Sequence, residues 1–141
     1  MRRVIVRAAV VVVVLLVVIQ AVPYGRNHTN PPVRAEPKWD SPRTRQLAVD
    51  ACFACHSNAT HWPWYASVAP VSWLTQRDVE EGRRILNFSE WDRPGASGEA
   101  VEAVREGSMP PLQFKILHPE ARLSDAEKQQ LIRGLEATLG G

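Results

Sequence analysis

The stretch 52-CFACHSNATHWPWY-65 contains both cysteines of the chain, Cys52 and Cys55, and His56 follows the second directly. Two residues separate the cysteines, and a group of aromatic residues comes after the histidine. This spacing brings two sulfur atoms and an imidazole together within one short piece of chain. The stretch therefore predicts a chemical site, and the rest of the sequence has to decide which kind.

The composition is that of a small globular protein. With 141 residues, one domain is the natural expectation. The formal charge of +2 depends on Arg2, Arg3 and Arg7, and without them 14 basic residues stand against 15 acidic ones. Because the chain has no basic stripe, it lacks the electrostatic footprint of nucleic-acid binding, and we expect no nucleic-acid partner.

The N-terminal 22 residues have an arginine-rich start followed by an unbroken apolar run over residues 8–19. As a helix, residues 4–22 would measure about 28 Å, close to the thickness of the hydrocarbon core of a bilayer. We therefore predict a transmembrane helix or an uncleaved signal over residues 1–22; a cleaved signal peptide is the alternative. Positive residues before the run would keep the start in the cytoplasm and give a single-pass protein of the cell membrane, with the remainder on the periplasmic or extracytoplasmic side.

Two further segments follow the apolar run. Residues 23–40 are rich in proline and polar residues, which indicates an extended tether, and His28 within it is expected to be solvated. Residues 41–141 carry the signals of a folded domain. Ser41 and Pro42 form a helix start, and Ser124 to Glu127 form a capping box.

Apolar residues in this domain recur at helical spacing, and no alternating strand pattern is visible. We predict an all-α fold, a small helical domain with long loops. The expected helices cover residues 41–52, 71–86, 98–106 and 124 onward, with a turn at Pro94–Gly95 and a loop over residues 108–123.

In the pattern C-x-x-C-H, two thiols form thioether bonds to haem and the histidine ligates the iron. Three alternatives fit less well. A dithiol redox pair normally lies between a strand and a helix. A zinc site would need a second ligand pair, and His61 and His118 are 57 positions apart. A structural disulfide would close a very small loop. We therefore favour one covalent haem c on Cys52 and Cys55, with His56 on the iron.

The second axial ligand is sought among the remaining sulfur and imidazole groups. Apart from Met1, Met109 is the only methionine, and two prolines follow it in a loop. A thioether on a stiff loop is well placed to reach iron, and His/Met ligation raises the reduction potential. His118, before Pro119, is the alternative ligand, whereas His61 lies only five residues from His56.

Aromatic and basic residues near the motif are candidates for covering the cofactor. Large rings keep water from haem edges, and indole or phenol groups can donate to a propionate. Arginines on the helix expected over residues 71–86 can pair with the same propionate. The plainer interpretations are that these arginines are solvated and that the aromatic rings belong to the hydrophobic core. The candidates are Trp62, Trp64, Tyr65, Trp73 and Arg77, with Arg83 and Arg84 as weaker ones.

Several blocks of the chain together closely resemble the bacterial haem-binding domain family, which comprises small membrane-anchored proteins of the cytochrome c type. These blocks are CFACHSNATHWPWY, APVSWLTQRDVEEGRRILNFSEW, MPP and LHPEARLSDAEKQQLIRGL, with PYGRNHTNPPV after the apolar run. The resemblance implies a cytochrome c-like helical fold, covalent haem at Cys52 and Cys55, and His56 as proximal ligand. The MPP context suggests Met109 as the distal ligand.

From these features we expect single-electron transfer rather than an enzymatic reaction, because two protein ligands leave no iron position for a substrate. The expected partners are redox proteins of the respiratory or periplasmic electron-transfer chain, and the membrane through the N-terminal helix. A haem-based redox or gas sensor is the alternative, and a thiol–disulfide oxidoreductase is a further one.

Overall fold

The computed structural model describes residues 1–92 and 97–139. Within those ranges the secondary structure is helical apart from one isolated parallel bridge between Ala35 and Glu90, which confirms the all-α prediction. The α-helices are α1 (Arg2–Ile19), α2 (Pro42–Ala51), α3 (Phe53–His56), α4 (Val71–Ile85), α5 (Ser97–Glu106), α6 (Leu112–Leu117) and α7 (Asp125–Leu139). Two 3-10 helices cover Trp64–Ser67 and Pro119–Ala121.

The predicted transmembrane helix is wrong. Over residues 1–92 and 97–139, the structure contains no helix whose length and apolar character would let it cross a membrane. Helix α1 has 18 residues, and Arg2, Arg3 and Arg7 are among them. The uninterrupted apolar stretch over residues 8–19 would be about 18 Å long as a helix, whereas the hydrocarbon core of a bilayer is about 30 Å thick.

The chain divides into two compact units, each described here by itself. The first contains residues 1–29 and 62–78, and the second contains residues 30–61 and 79–141 as far as the structure describes them. The division of the chain into segments 1–22, 23–40 and 41–141, and the likeness to cytochrome c, stay predictions.

In the first unit, the residues after α1 are bonded to the residues around the 3-10 helix Trp64–Ser67. The side-chain amide of Gln20 donates to the carbonyl oxygen of Ala69 at 2.9 Å and accepts from its N–H at 3.0 Å. The ring of His28 stacks on Trp62 with 4.6 Å between ring centroids. The expectation that His28 is solvated is therefore wrong, because this half-buried ring packs against an indole.

In the second unit, α2 and α7 pack against each other, and α5 packs on α7. Helix α2 begins as predicted, with Ser41 Oγ accepting from the N–H of Thr44 at 3.2 Å and Pro42 in the first turn. Helix α7 begins with the predicted capping box, in which Ser124 N donates to Glu127 Oε2 at 3.0 Å. The buried core is formed mainly by Leu47, Ala48, Phe53, Phe88, Leu131, Ile132 and Leu135.

An aromatic cluster around Phe88 closes one side of this core. The ring of Phe88 lies 5.2 Å from Trp39, 5.6 Å from Phe53 and 6.1 Å from Trp91, measured between centroids. Trp39 comes from the proline-rich segment before α2. Trp39, which lies in the segment predicted as a tether, thus packs against the core of the second unit.

The loop predicted over residues 108–123 is wrong in part, since it contains α6 and the second 3-10 helix. These helices are short, and a periodic pattern needs a longer window to be recognised. The turn predicted at Pro94–Gly95 lies outside the described residues.

We expect Gly134→Ala to destabilise the second unit. A Cβ at Gly134 would lie 2.1 Å from Thr44 Oγ1 and 2.5 Å from Thr44 Cγ2, and Thr44 is only 1% exposed. Overpacking of this kind typically costs about 1–3 kcal/mol in the free energy of unfolding, which urea denaturation would measure. The control is Gly98→Ala, where nothing lies within 4 Å of the added atom. Equal stability of both variants would contradict the prediction.

Candidate functional site

A cavity of about 220 Å³ lies in the second unit. Its walls come from the end of α2, from α3, from the residues that end α4, and from α5, the loop after it and α7. Most of the lining is apolar, and sulfur, imidazole and carboxylate groups are contributed at four positions. The lining residues are Ala51, Cys52, His56, Ile85, Leu86, Phe88, Glu99, Ala100, Ala103, Val104, Met109 and Leu135.

The cysteine motif forms a helical turn directly after α2. The N–H of Cys52 donates to the carbonyl oxygen of Ala48 at 2.8 Å, and the N–H of His56 donates to that of Cys52 at 2.9 Å. Cys52 and His56 both line the cavity, whereas Cys55 does not. The structure therefore brings one thiol, the imidazole and Met109 to the same cavity. Their roles at an iron site stay predictions.

The imidazole of His56 has a defined tautomer. Its Nδ1 lies 3.0 Å from the carbonyl oxygen of Gly82 and 3.1 Å from that of Leu86. Because both partners can only accept, Nδ1 carries the proton and Nε2 keeps the lone pair. Burial lowers the pKa of His56, against the opposing effect of the two carbonyl groups. The ring is thus kept neutral, which is the form that binds a metal ion.

The pKa of the Cys52 thiol is shifted in the direction opposite to that of a redox-active cysteine. Burial, and then the neighbouring Cys55, raise the pKa of Cys52 to about 12. Cysteines that exchange disulfides normally have a lowered pKa, because the thiolate is the nucleophile. The two cysteines are not joined in a disulfide. The raised pKa of Cys52 counts against the thiol–disulfide oxidoreductase alternative.

Met109 is held by the end of α5. Gly107 has a φ of 82°, the left-handed conformation that ends many helices. The N–H of Met109 and the hydroxyl of Ser108 both donate to the carbonyl oxygen of Ala103, each at 3.1 Å. From α7, Lys128 Nζ donates to the carbonyl oxygen of Arg105 at 3.1 Å. The thioether is therefore presented from a braced turn, with 40% of Met109 exposed.

The competing imidazoles lie elsewhere. His118 stacks on Phe114 with 4.0 Å between ring centroids, and its Nδ1 lies 2.8 Å from Glu120 Oε1. His118 does not line the cavity, and His61 is exposed. Over the described ranges, no three His, Cys, Asp or Glu side chains are grouped as a metal site of those residues would need, so the zinc alternative gains no support.

The predicted cofactor-covering residues belong to the first unit. Trp62 stacks on His28. Trp64 is 81% exposed and makes an edge contact with Tyr65, with 6.0 Å between the ring centroids. Arg77 is exposed. Trp73 differs from the others, because its indole N–H is buried and has no acceptor among the described residues. A donor in that state suits a bound anionic group, but the cofactor role of all these residues stays a prediction.

Arg83 has a role that the sequence analysis missed. Its guanidinium donates to the carbonyl oxygen of Ser57 at 2.8 Å, to Thr60 Oγ1 at 3.0 Å and to Asn30 Oδ1 at 2.8 Å. It therefore holds the backbone just after His56, whereas the sequence suggested pairing with a propionate. Arg84, the other weaker candidate for pairing with a propionate, has its Nη2 atom 3.4 Å from Glu81 Oε1.

Asn58, two residues after His56, is the centre of a second polar network. Its backbone N–H donates to Ser89 Oγ at 2.9 Å, and its side chain bonds to Asn87 at 2.8 Å and to Glu90 at 3.0 Å. Asn58 is buried, with 3% exposure. The only signal in the sequence is a run of small polar residues directly after the motif.

Comparison with known proteins shows to which family the chain belongs. The family model described as "Haem-binding domain" matches residues 14–137, which is most of the chain. No significant match was found among curated proteins or among solved structures. The match agrees with the resemblance noted in the sequence, and the chain belongs to the haem-binding domain family.

Proposed function

We propose that this haem protein is a monohaem c-type cytochrome that carries one covalently bound haem and transfers single electrons. The observation that supports the proposal is that Cys52, His56 and Met109 line the same largely apolar cavity. These groups are the attachment thiol and the two axial ligands that such a site requires. Cys55 would supply the second thioether bond from the same helical turn.

The residues present fit the cofactor. His56 offers a neutral imidazole with the lone pair on Nε2, and Met109 offers a thioether. A bound haem would supply a one-electron iron couple. The chain's own contribution is to fix the imidazole, to present the sulfur, and to keep water away with side chains such as Leu86, Val104 and Leu135. A His/Met ligand pair favours the reduced iron and raises the potential.

The same arrangement leads us to propose a carrier rather than an enzyme. Two protein ligands on the iron leave no position for a substrate, so the partners would be redox proteins of a respiratory or periplasmic electron-transfer chain. We further propose that the domain works outside the cytoplasm, because an arginine-rich start before an apolar run is typical of exported chains.

Acid–acetone extraction tests the covalent attachment. The full chain should be made in a host able to mature c-type cytochromes, and we expect the red pigment to stay with the protein after extraction. The control is the double variant Cys52→Ser and Cys55→Ser, from which the pigment should be extracted. Colour in the organic layer from the unaltered chain would overturn the proposal.

A haem-based gas sensor is the second candidate, and it is favoured by the 40% exposure of Met109. A residue with this exposure is more accessible to a competing ligand than a buried one. Titration of the reduced protein with carbon monoxide separates the two functions. Slow or absent binding at neutral pH supports the electron carrier, and rapid binding supports the sensor.

A further inference from the structure

The end of α4 meets the turn that carries His56, and we propose that Gly82 is a positioning residue that fixes the proximal imidazole. Gly82 lies one turn before the helix ends at Ile85. The part of this inference that concerns iron rests on the proposed function. The part that concerns the orientation and proton of His56 does not.

The steric argument starts from the contact between Gly82 and Cys55. A Cβ at Gly82 would lie 2.5 Å from the carbonyl oxygen of Cys55, 2.9 Å from its carbonyl carbon and 3.0 Å from its Cβ. Two of these three are backbone atoms, so no rotation of a side chain relieves the clash. Any larger residue must move the helix away from the motif or distort the turn of residues 52–56.

The same contact controls the hydrogen bonds of His56. Carbonyl groups in the last turn of a helix carry its negative dipole end, which favours a donor such as an imidazole N–H. The carbonyl oxygen of Gly82 accepts from Leu86 N at 2.9 Å as well as from His56 Nδ1 at 3.0 Å. The second acceptor, the carbonyl oxygen of Leu86, directly follows the helix. Because both acceptors belong to one helix end, moving that end weakens both bonds together.

The consequence for function concerns the second ring nitrogen. A ligating histidine is oriented by the hydrogen bond from its other nitrogen, and loss of such a bond typically costs roughly 10- to 100-fold in metal affinity. Glycine at position 82 therefore acts on the iron ligand without touching the cofactor. It does so by allowing the helix to approach Cys55 closely.

Proton exchange at His56 Nδ1, followed by NMR on the full chain, tests the inference. In Gly82→Ala we expect this proton to exchange at least about tenfold faster than in the unaltered haem-loaded protein, because its acceptors move away. Gly134→Ala is the matched control, since its added Cβ also clashes, but with Thr44. Gly98→Ala is the neutral control. Equal acceleration in Gly82→Ala and Gly134→Ala, or none in Gly82→Ala, would overturn the role of Gly82.

A second measurement covers the case in which Gly82→Ala does not fold. In the unaltered chain the ¹⁵N shifts of His56 must show a proton on Nδ1, and that proton must exchange slowly. A proton on Nε2 in the haem-free chain, or fast exchange at Nδ1, would overturn the inference. Absence of covalent haem from the unaltered chain would instead overturn the proposed function, and the tautomer measured in haem-free protein would still test the hydrogen bonds of His56 Nδ1 to Gly82 and Leu86.

Discussion

In the His56→Ala variant, covalently bound haem should fall at least about tenfold, because even loss of a group that only orients a ligand typically costs 10- to 100-fold in metal affinity. The variant removes the ligand itself and empties the wall of the cavity next to Cys52. Pigment that is still attached should lose the low-spin spectrum of iron with two strong axial ligands. Haem staining of denaturing gels gives the yield, and the visible spectrum gives the coordination.

The control for this prediction is His61→Ala, in which an exposed imidazole from the same region is removed. We expect its haem content and spectrum to match those of the unaltered protein. A normal low-spin spectrum in His56→Ala would show that another group binds the iron on the proximal side, and the assignment of His56 would be wrong.

The Met109→Ala variant should keep its covalent haem, because the attachment thiols are untouched. Its reduction potential should fall by on the order of 0.1–0.3 V, part of the roughly 0.8 V over which axial ligands set haem potentials. The direction follows from the preference of a thioether for the reduced iron. Redox titration with mediators measures the potential, and the reduced variant should bind carbon monoxide rapidly.

Three further variants test whether the sulfur of Met109 itself binds the iron. Leu112→Ala removes an apolar side chain that is 70% exposed in the same region, and it should leave the potential unchanged. His118→Ala should also have no effect, because that ring pairs with Glu120. Met109→His should restore two strong ligands at a lower potential. An unchanged potential in Met109→Ala together with a lowered one in His118→Ala would move the distal assignment to His118.

Local signals explain which parts of the fold could be predicted. Ser41 Oγ accepts from the N–H of Thr44 in α2, and Ser124 Oγ accepts from the N–H of Glu127 in α7. Such bonds depend on a few neighbouring residues. Part of the lining of the cavity could also be anticipated from the sequence. The spacing of Cys52 and His56 is local, and apart from Met1 the sequence contains no methionine other than Met109 that could be considered as a ligand.

The parts that could not be predicted depend on contacts between distant residues. Trp39 reaches Phe88 from a proline-rich segment, and Arg83 reaches back to Ser57 and to Asn30. Neither pairing follows from any periodicity. Gly82 looks like an ordinary helical glycine in the sequence, since only the three-dimensional structure shows the carbonyl group of Cys55 against it.

The transmembrane prediction failed for a different reason. It counted residues 4–22 as one spanning helix, which includes Arg7 and three residues beyond Ile19. In the structure α1 ends at Ile19, and all three of its arginines lie in the first two turns. The remaining apolar run is too short to span the hydrocarbon core.

The braced turn after α5 bears on the speed of electron exchange. The backbone N–H of Met109 donates to Ala103 in α5, and Lys128 in α7 donates to the carbonyl oxygen of Arg105, so the backbone of the turn that carries Met109 is bonded at two points. Under the proposed ligation, the iron would change oxidation state with almost the same surroundings before and after. A preorganised environment of this kind costs little rearrangement at the moment of reaction. Encounter with the partner protein, rather than motion inside the domain, would then limit the turnover of electrons.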